Sequence, residues 1–102
     1  DDWGHGGVPM VFSLEQNFPN PFNPITQIRY QLPNQTKVSI RVHDIMGRLV
    51  KTLVPDQTRL AGFHQITWDA TNNNGDPVSA GMYLYVIQTK EFTDTHKMVL
   101  MK

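Results

Sequence analysis

The residues of this 102-residue chain whose types could do chemistry are four histidines, two glutamates and one loop rich in side-chain oxygens. That loop, Asp69-Ala70-Thr71-Asn72-Asn73-Asn74-Gly75-Asp76, is dense in the hard oxygen donors that calcium takes. An EF-hand loop beginning at Asp69 would need glycine at Asn74 and a bidentate glutamate at Ala80, and the flanks read as strands rather than helices. Asn and Asp accept left-handed backbone conformations and bond their own backbone, so a hydrated turn is expected. A weak calcium site at Asp69, Asn72, Asn74 and Asp76 is the alternative.

The histidines stand apart in sequence. His43 and His64 could meet across strands as metal ligands, although rim histidines are the plainer reading, and no metal is expected. Glu15 and Glu91 are the only glutamates, too few and too far apart to mark an acid–base pair. No Gly-x-Ser-x-Gly elbow, phosphate loop, dinucleotide fingerprint or His-Glu-x-x-His motif occurs. The expectation is a protein without catalytic residues or cofactor. Trp3, Phe92 and the tyrosines could offer flat faces to sugars, but Trp68, Tyr30, Tyr83 and Tyr85 sit where strands would bury them.

Nine Lys and Arg balance nine Asp and Glu, so no general field draws the chain to nucleic acid, and none is expected as a partner. The absence of cysteine excludes disulfides and thiolate metal sites, leaving packing to hold the fold. No apolar run approaches the roughly 18 residues that a membrane helix needs. The opening Asp1-Asp2-Trp3-Gly4-His5-Gly6-Gly7 lacks the pattern of a signal peptide, and the chain is expected to be a piece of a longer protein.

The elements that would carry any site follow from punctuation and period. Residues 1–11 read as a linker or the tail of a preceding domain, and 12–102 as one domain. Ile28, Tyr30 and Leu32 alternate with Gln27, Arg29 and Gln31, and Val38, Ile40 and Val42 with Lys37, Ser39, Arg41 and His43. Asp44-Ile45-Met46-Gly47 predicts a tight reversal into a strand from Arg48 to Val54, ended by Pro55. Ala61-Gly62 leads into a strand from Phe63 to Asp69 on which His64, Ile66 and Trp68 share a face. Gly81 introduces Met82 to Thr89, apolar on both faces and so central, and Thr95 to Lys102 closes the chain. About seven such strands predict an all-β fold, an immunoglobulin-like antiparallel sandwich.

Several segments together resemble a known family. Asn17-Phe18-Pro19-Asn20-Pro21-Phe22-Asn23-Pro24 followed by Thr26 to Tyr30 is similar to the entry signature of the type IX secretion C-terminal sorting domain. Val42 to Val50 resembles its hairpin, Gly62 with Trp68-Asp69 its middle strand, and Gly75, Pro77-Val78 and Gly81-Met82-Tyr83 its next turn and strand. Lys97 to Lys102 resembles its terminal strand, and much of the pattern is shared with the immunoglobulin-like domain of flagellar hook-capping proteins. The resemblance implies a non-catalytic tag, joined to an upstream catalytic or adhesive domain, read by secretion machinery at the outer membrane and ending up secreted or on the cell surface. An accessory interaction or carbohydrate-binding module is the alternative. Recognition is then expected at Lys97, Val99 and Lys102, on a terminal edge strand offering unpaired backbone groups, and at Gly47 and Arg48 of the hairpin tip. Pro21, Asn23, Pro24, Gly62, Trp68, Asp69, Gly75, Gly81 and Tyr83 would be structural parts of the motif.

Overall fold

The structure, a computed structural model, describes residues 7–102. Trp3, His5 and the rest of the first six residues of the expected linker lie outside the described residues. Among the described residues there is no helix, and the chain forms seven strands. These are β1 (Ser13–Leu14), β2 (Thr26–Leu32), β3 (Thr36–Asp44), β4 (Leu49–Arg59), β5 (Gly62–Trp68), β6 (Gly81–Gln88) and β7 (Thr93–Leu100).

A period of two sends one apolar set inward on each strand, and two layers are the simplest way to bury both sets. β1, β2 and β5 form one sheet, and β4, β3, β6 and β7 form the other in that order, every pairing antiparallel. This is the predicted immunoglobulin-like sandwich. Ile28, Tyr30 and Leu32 from one sheet meet Ile40, Val42, Tyr85 and Met98 from the other in a single core. Trp68, at the end of β5, is buried in it, with Phe22 tilted against it at 5.7 Å and Tyr83 edge-on at 5.4 Å between ring centroids. Burial of each such side chain contributes roughly 1.5–3 kcal/mol. β6 is central, as its apolar composition on both faces predicts.

Two strand ends differ from expectation. Pro55 does not terminate β4, which runs on to Arg59. β4 is an edge strand, where a missing N–H costs no ladder bond, and the register shift between Val38 and Ile40 lets Pro55 and Asp56 bulge out, Asp56 taking a φ of 48°. β7 stops at Leu100, so Lys102 stands beyond the strand rather than closing it.

Candidate recognition surface

The β3–β4 hairpin is held by one carboxylate. Asp44 Oδ1 accepts from the backbone N–H of Met46 at 2.9 Å and of Arg48 at 3.0 Å, and its Oδ2 accepts from Arg48 Nε at 2.9 Å. The backbone closes beneath it, with Gly47 N–H donating to Asp44 C=O at 2.9 Å. Gly47 sits at φ 85°, the left-handed position that a three-residue hairpin connection requires. The hydrogen bond from the Arg48 backbone, above all, holds the Asp44 carboxyl below its ordinary range. Arg48 is thereby committed to fixing the turn, and the side chains left projecting are Ile45 (69% exposed) and Met46 (75%).

The tip borders a groove of about 480 Å³ whose far wall is the segment from Pro77 to Tyr83. Tyr83 anchors that wall by donating its hydroxyl to Ser79 C=O at 2.5 Å, and burial pushes its phenol above the usual value. The last residue of β3, the first residues of β4 and β6 and the last of β7 share this end of the sheet. Gly47, Arg48, Ile45 and Met46 therefore stand at the same end of the sheet as Met82, Met101 and Lys102, all exposed. Val99 lies beside Met82 on the outer face of the sheet and so borders this group, whereas Lys97 stands further along the strand beside Leu84.

The expected open edge of β7 is closed along this stretch. Val99 N–H donates to Asn20 Oδ1 at 2.9 Å, Val99 C=O accepts from Phe22 N–H at 3.0 Å, and Met101 N–H donates to Phe22 C=O at 2.9 Å. Gln16 Nε2 donates to Lys97 C=O at 2.7 Å. The segment sealing this edge is the proline-rich motif itself, which also pairs Phe18 with Gln27 of β2 and so ties the two sheets together. Its pivot is Asn17, 2% exposed: Nδ2 donates to Thr26 Oγ1 at 2.9 Å and Pro19 C=O at 3.2 Å, and the Asn17 N–H donates to Tyr85 Oη at 2.7 Å. The Tyr85 hydroxyl in turn donates to Glu15 C=O at 2.7 Å, and burial pushes this phenol far up. Pro21, Asn23 and Pro24 are exposed around the buried Phe22. The sequence marks Asn17 to Pro24 as a motif but not the partners of Asn17, Asn20 and Phe22, because nothing local tells which strand a proline-rich entry will cross.

The oxygen-rich loop is used by its own backbone. Asn72 Oδ1 accepts from Asn74 N–H at 2.9 Å and Asp76 N–H at 3.0 Å, and Gly75 N–H donates to Asn72 C=O at 2.9 Å. Thr71 Oγ1 donates to Asp69 Oδ1 at 2.6 Å, the main cause of a lowered Asp69 carboxyl. Asn73 reaches across to β4, accepting from Thr52 N–H at 3.0 Å and donating to Val50 C=O at 3.0 Å. Gly62 and Gly81 open β5 and β6.

His43 and His64 do not meet, contrary to the cross-strand possibility, because they lie in different sheets. His43 Nδ1 bonds Gly47 C=O at 3.3 Å, and His64 Nε2 bonds Leu60 C=O at 2.8 Å. Among the described residues no three His, Cys, Asp or Glu side chains group as metal ligands. Trp68, Tyr30, Tyr83 and Tyr85 are buried, and Phe92 stacks on Phe12 at 5.3 Å, so these rings are spent on packing. No helix among the described residues is long and apolar enough to cross a membrane.

Two sheets closed by a crossing entry segment define an immunoglobulin-like module. The chain belongs to the FlgD Ig-like domain family, whose pattern matches residues 24–91. No curated protein matches it. Among solved structures it is similar to latent dimeric PorU from Porphyromonas gingivalis, with a TM-score of 0.67, 24% identity, and 94% of this chain against 10% of that one. PorZ, described as an essential bacterial surface component of the type-IX secretion system of Porphyromonas gingivalis, gives 0.57, 17% identity, and 96% against 13%. FLGD from P. aeruginosa gives 0.57, 19% identity, and 78% against 67%. The chain thus spans about a tenth of PorU and little more of PorZ.

Proposed function

We propose that this domain is a non-catalytic sorting and attachment module, which directs the protein it is joined to through the type IX secretion system to the bacterial surface or beyond. The observation that carries the reading is the gathering of Ile45, Met46, Met82 and Met101 with Arg48 and Lys102 at one end of the four-stranded sheet. Exposed apolar side chains rimmed by charge mark a protein contact, and here Ile45 and Met82 line a groove with Arg48. The likeness in fold to PorU and PorZ supports the assignment, as does the run of motifs from Asn17 to Lys102. Machinery at the outer membrane is the partner in this reading, and the hairpin end replaces the terminal strand edge as the handle.

The test is export. The full chain is placed after a reporter in a bacterium that carries the type IX system, and the reporter is measured in the medium, on the surface and in the periplasm. Export is expected for the native chain. A double variant, Ile45→Ser with Met46→Ser, should lower it about tenfold, the equivalent of ~1.4 kcal/mol of docking energy. Native chain retained in the periplasm would refute the sorting role and leave an accessory module packed on its neighbour.

A further inference from the structure

The even balance of charge conceals an uneven distribution. On the outer face of the four-stranded sheet, β3 presents Lys37, Arg41 and His43 and β7 presents Lys97; no residue that β3, β6 or β7 places on this face is acidic. Arg41 forms no ion pair with any described residue. Beside it lies a depression of about 50 Å³ lined by Ser39, Arg41, His43, Val86 and Gln88. Ser39 is only 3% exposed, and its hydroxyl bonds no described residue. No described side-chain polar atom is sealed off without a partner, so that hydroxyl must open into the depression.

A buried hydroxyl, an unpaired guanidinium and an amide lining a space of this size can donate to one carboxylate. Arg supplies paired donors to such a group, and the neighbouring hydroxyl supplies a further one. Val86, Leu84 and Val99 flank the cations as a half-buried apolar strip. Such a strip suits an amphipathic protein surface better than a polyanionic glycan, which has no apolar side chains to place there. We infer that the outer face of the β3–β6–β7 sheet docks an acidic polypeptide surface, with one Asp or Glu carboxylate seated over Ser39 between Arg41 and His43. The site lies on the sheet face and adjoins the hairpin end through His43, whose ring bonds Gly47 C=O, but it does not depend on the sorting role.

The probe is a blocked peptide alternating valine and glutamate, titrated at low salt into the full ¹⁵N-labelled chain, because screening weakens exposed pairs. Shifts should centre on the amides of Ser39, Arg41, His43 and Val86, and be absent with the glutamine analogue. Arg41→Gln should weaken binding about tenfold and Ser39→Ala about threefold, with Lys90→Gln as a remote control. Folding of each variant is checked by circular dichroism. Equal response to the glutamine peptide, shifts elsewhere, or no shifts would overturn the proposal. Tighter binding of heparin through Arg41 would overturn the polypeptide as occupant.

Discussion

Two segments that stand out equally in the sequence, Asn17–Pro24 and Asp44–Arg48, end in opposite situations. The first is built into the closure of the sandwich, where Asn17 and Phe22 are buried and Asn20 and the Phe22 backbone bond the β7 edge at Val99 and Met101. The second is bound almost wholly to itself through Asp44 and leaves Ile45 and Met46 in solvent. A segment that supplies hydrogen bonds to other strands contributes to stability, whereas one closed on its own backbone is free to contribute to recognition. The end of the terminal strand is not the open edge expected there, because Val99 and Met101 already bond Asn20 and Phe22.

Phe22→Ala should strain this contrast most, costing about 3–5 kcal/mol in urea denaturation, since it opens a cavity against Trp68. It should also speed hydrogen exchange at Val99 and Met101, whose bonds run through the Phe22 segment; unchanged exchange would mean that the edge is held otherwise. Asn17→Ala should cost roughly 1–3 kcal/mol by the same measurement, by breaking the bond to the buried Thr26 hydroxyl. In the hairpin, Gly47→Ala should cost about 1–2 kcal/mol from backbone strain alone, because an added Cβ meets nothing within 4 Å.

Acid should act on the hairpin before the crossing segment. Asp44 has a folded value below the ordinary 3.8, so its stabilisation is present above that value and is lost as pH falls through the lower, folded one. The Met46 and Arg48 amides should lose protection in that acid window, while the Asn17 amide, bonded to a phenol that stays protonated, should not. The smallest stability effect is expected from Ile45→Ser with Met46→Ser, within about 0.5 kcal/mol, despite the largest loss of export.

Much of this arrangement was legible because its causes are local. The alternation in β2 and β3, the positive φ of Gly47 and the Asx bonding around Asn72 each follow from a few consecutive residues. Pro55 misled because its meaning depends on whether a strand is central or at an edge, which is decided by the partner strand.

The amino-acid order alone determined the all-β class, the faces of the long strands and the hairpin with its glycine, since each depends on period or backbone sterics. Only the tertiary structure decided that Asn20 and Phe22 would occupy the edge beside Val99, that His43 and His64 would be parted, and that Ser39, Arg41 and Gln88 would share one depression. These are meetings between residues far apart in the chain, and they are settled by which strands pair and in which register, a choice made by the burial of the whole core at once.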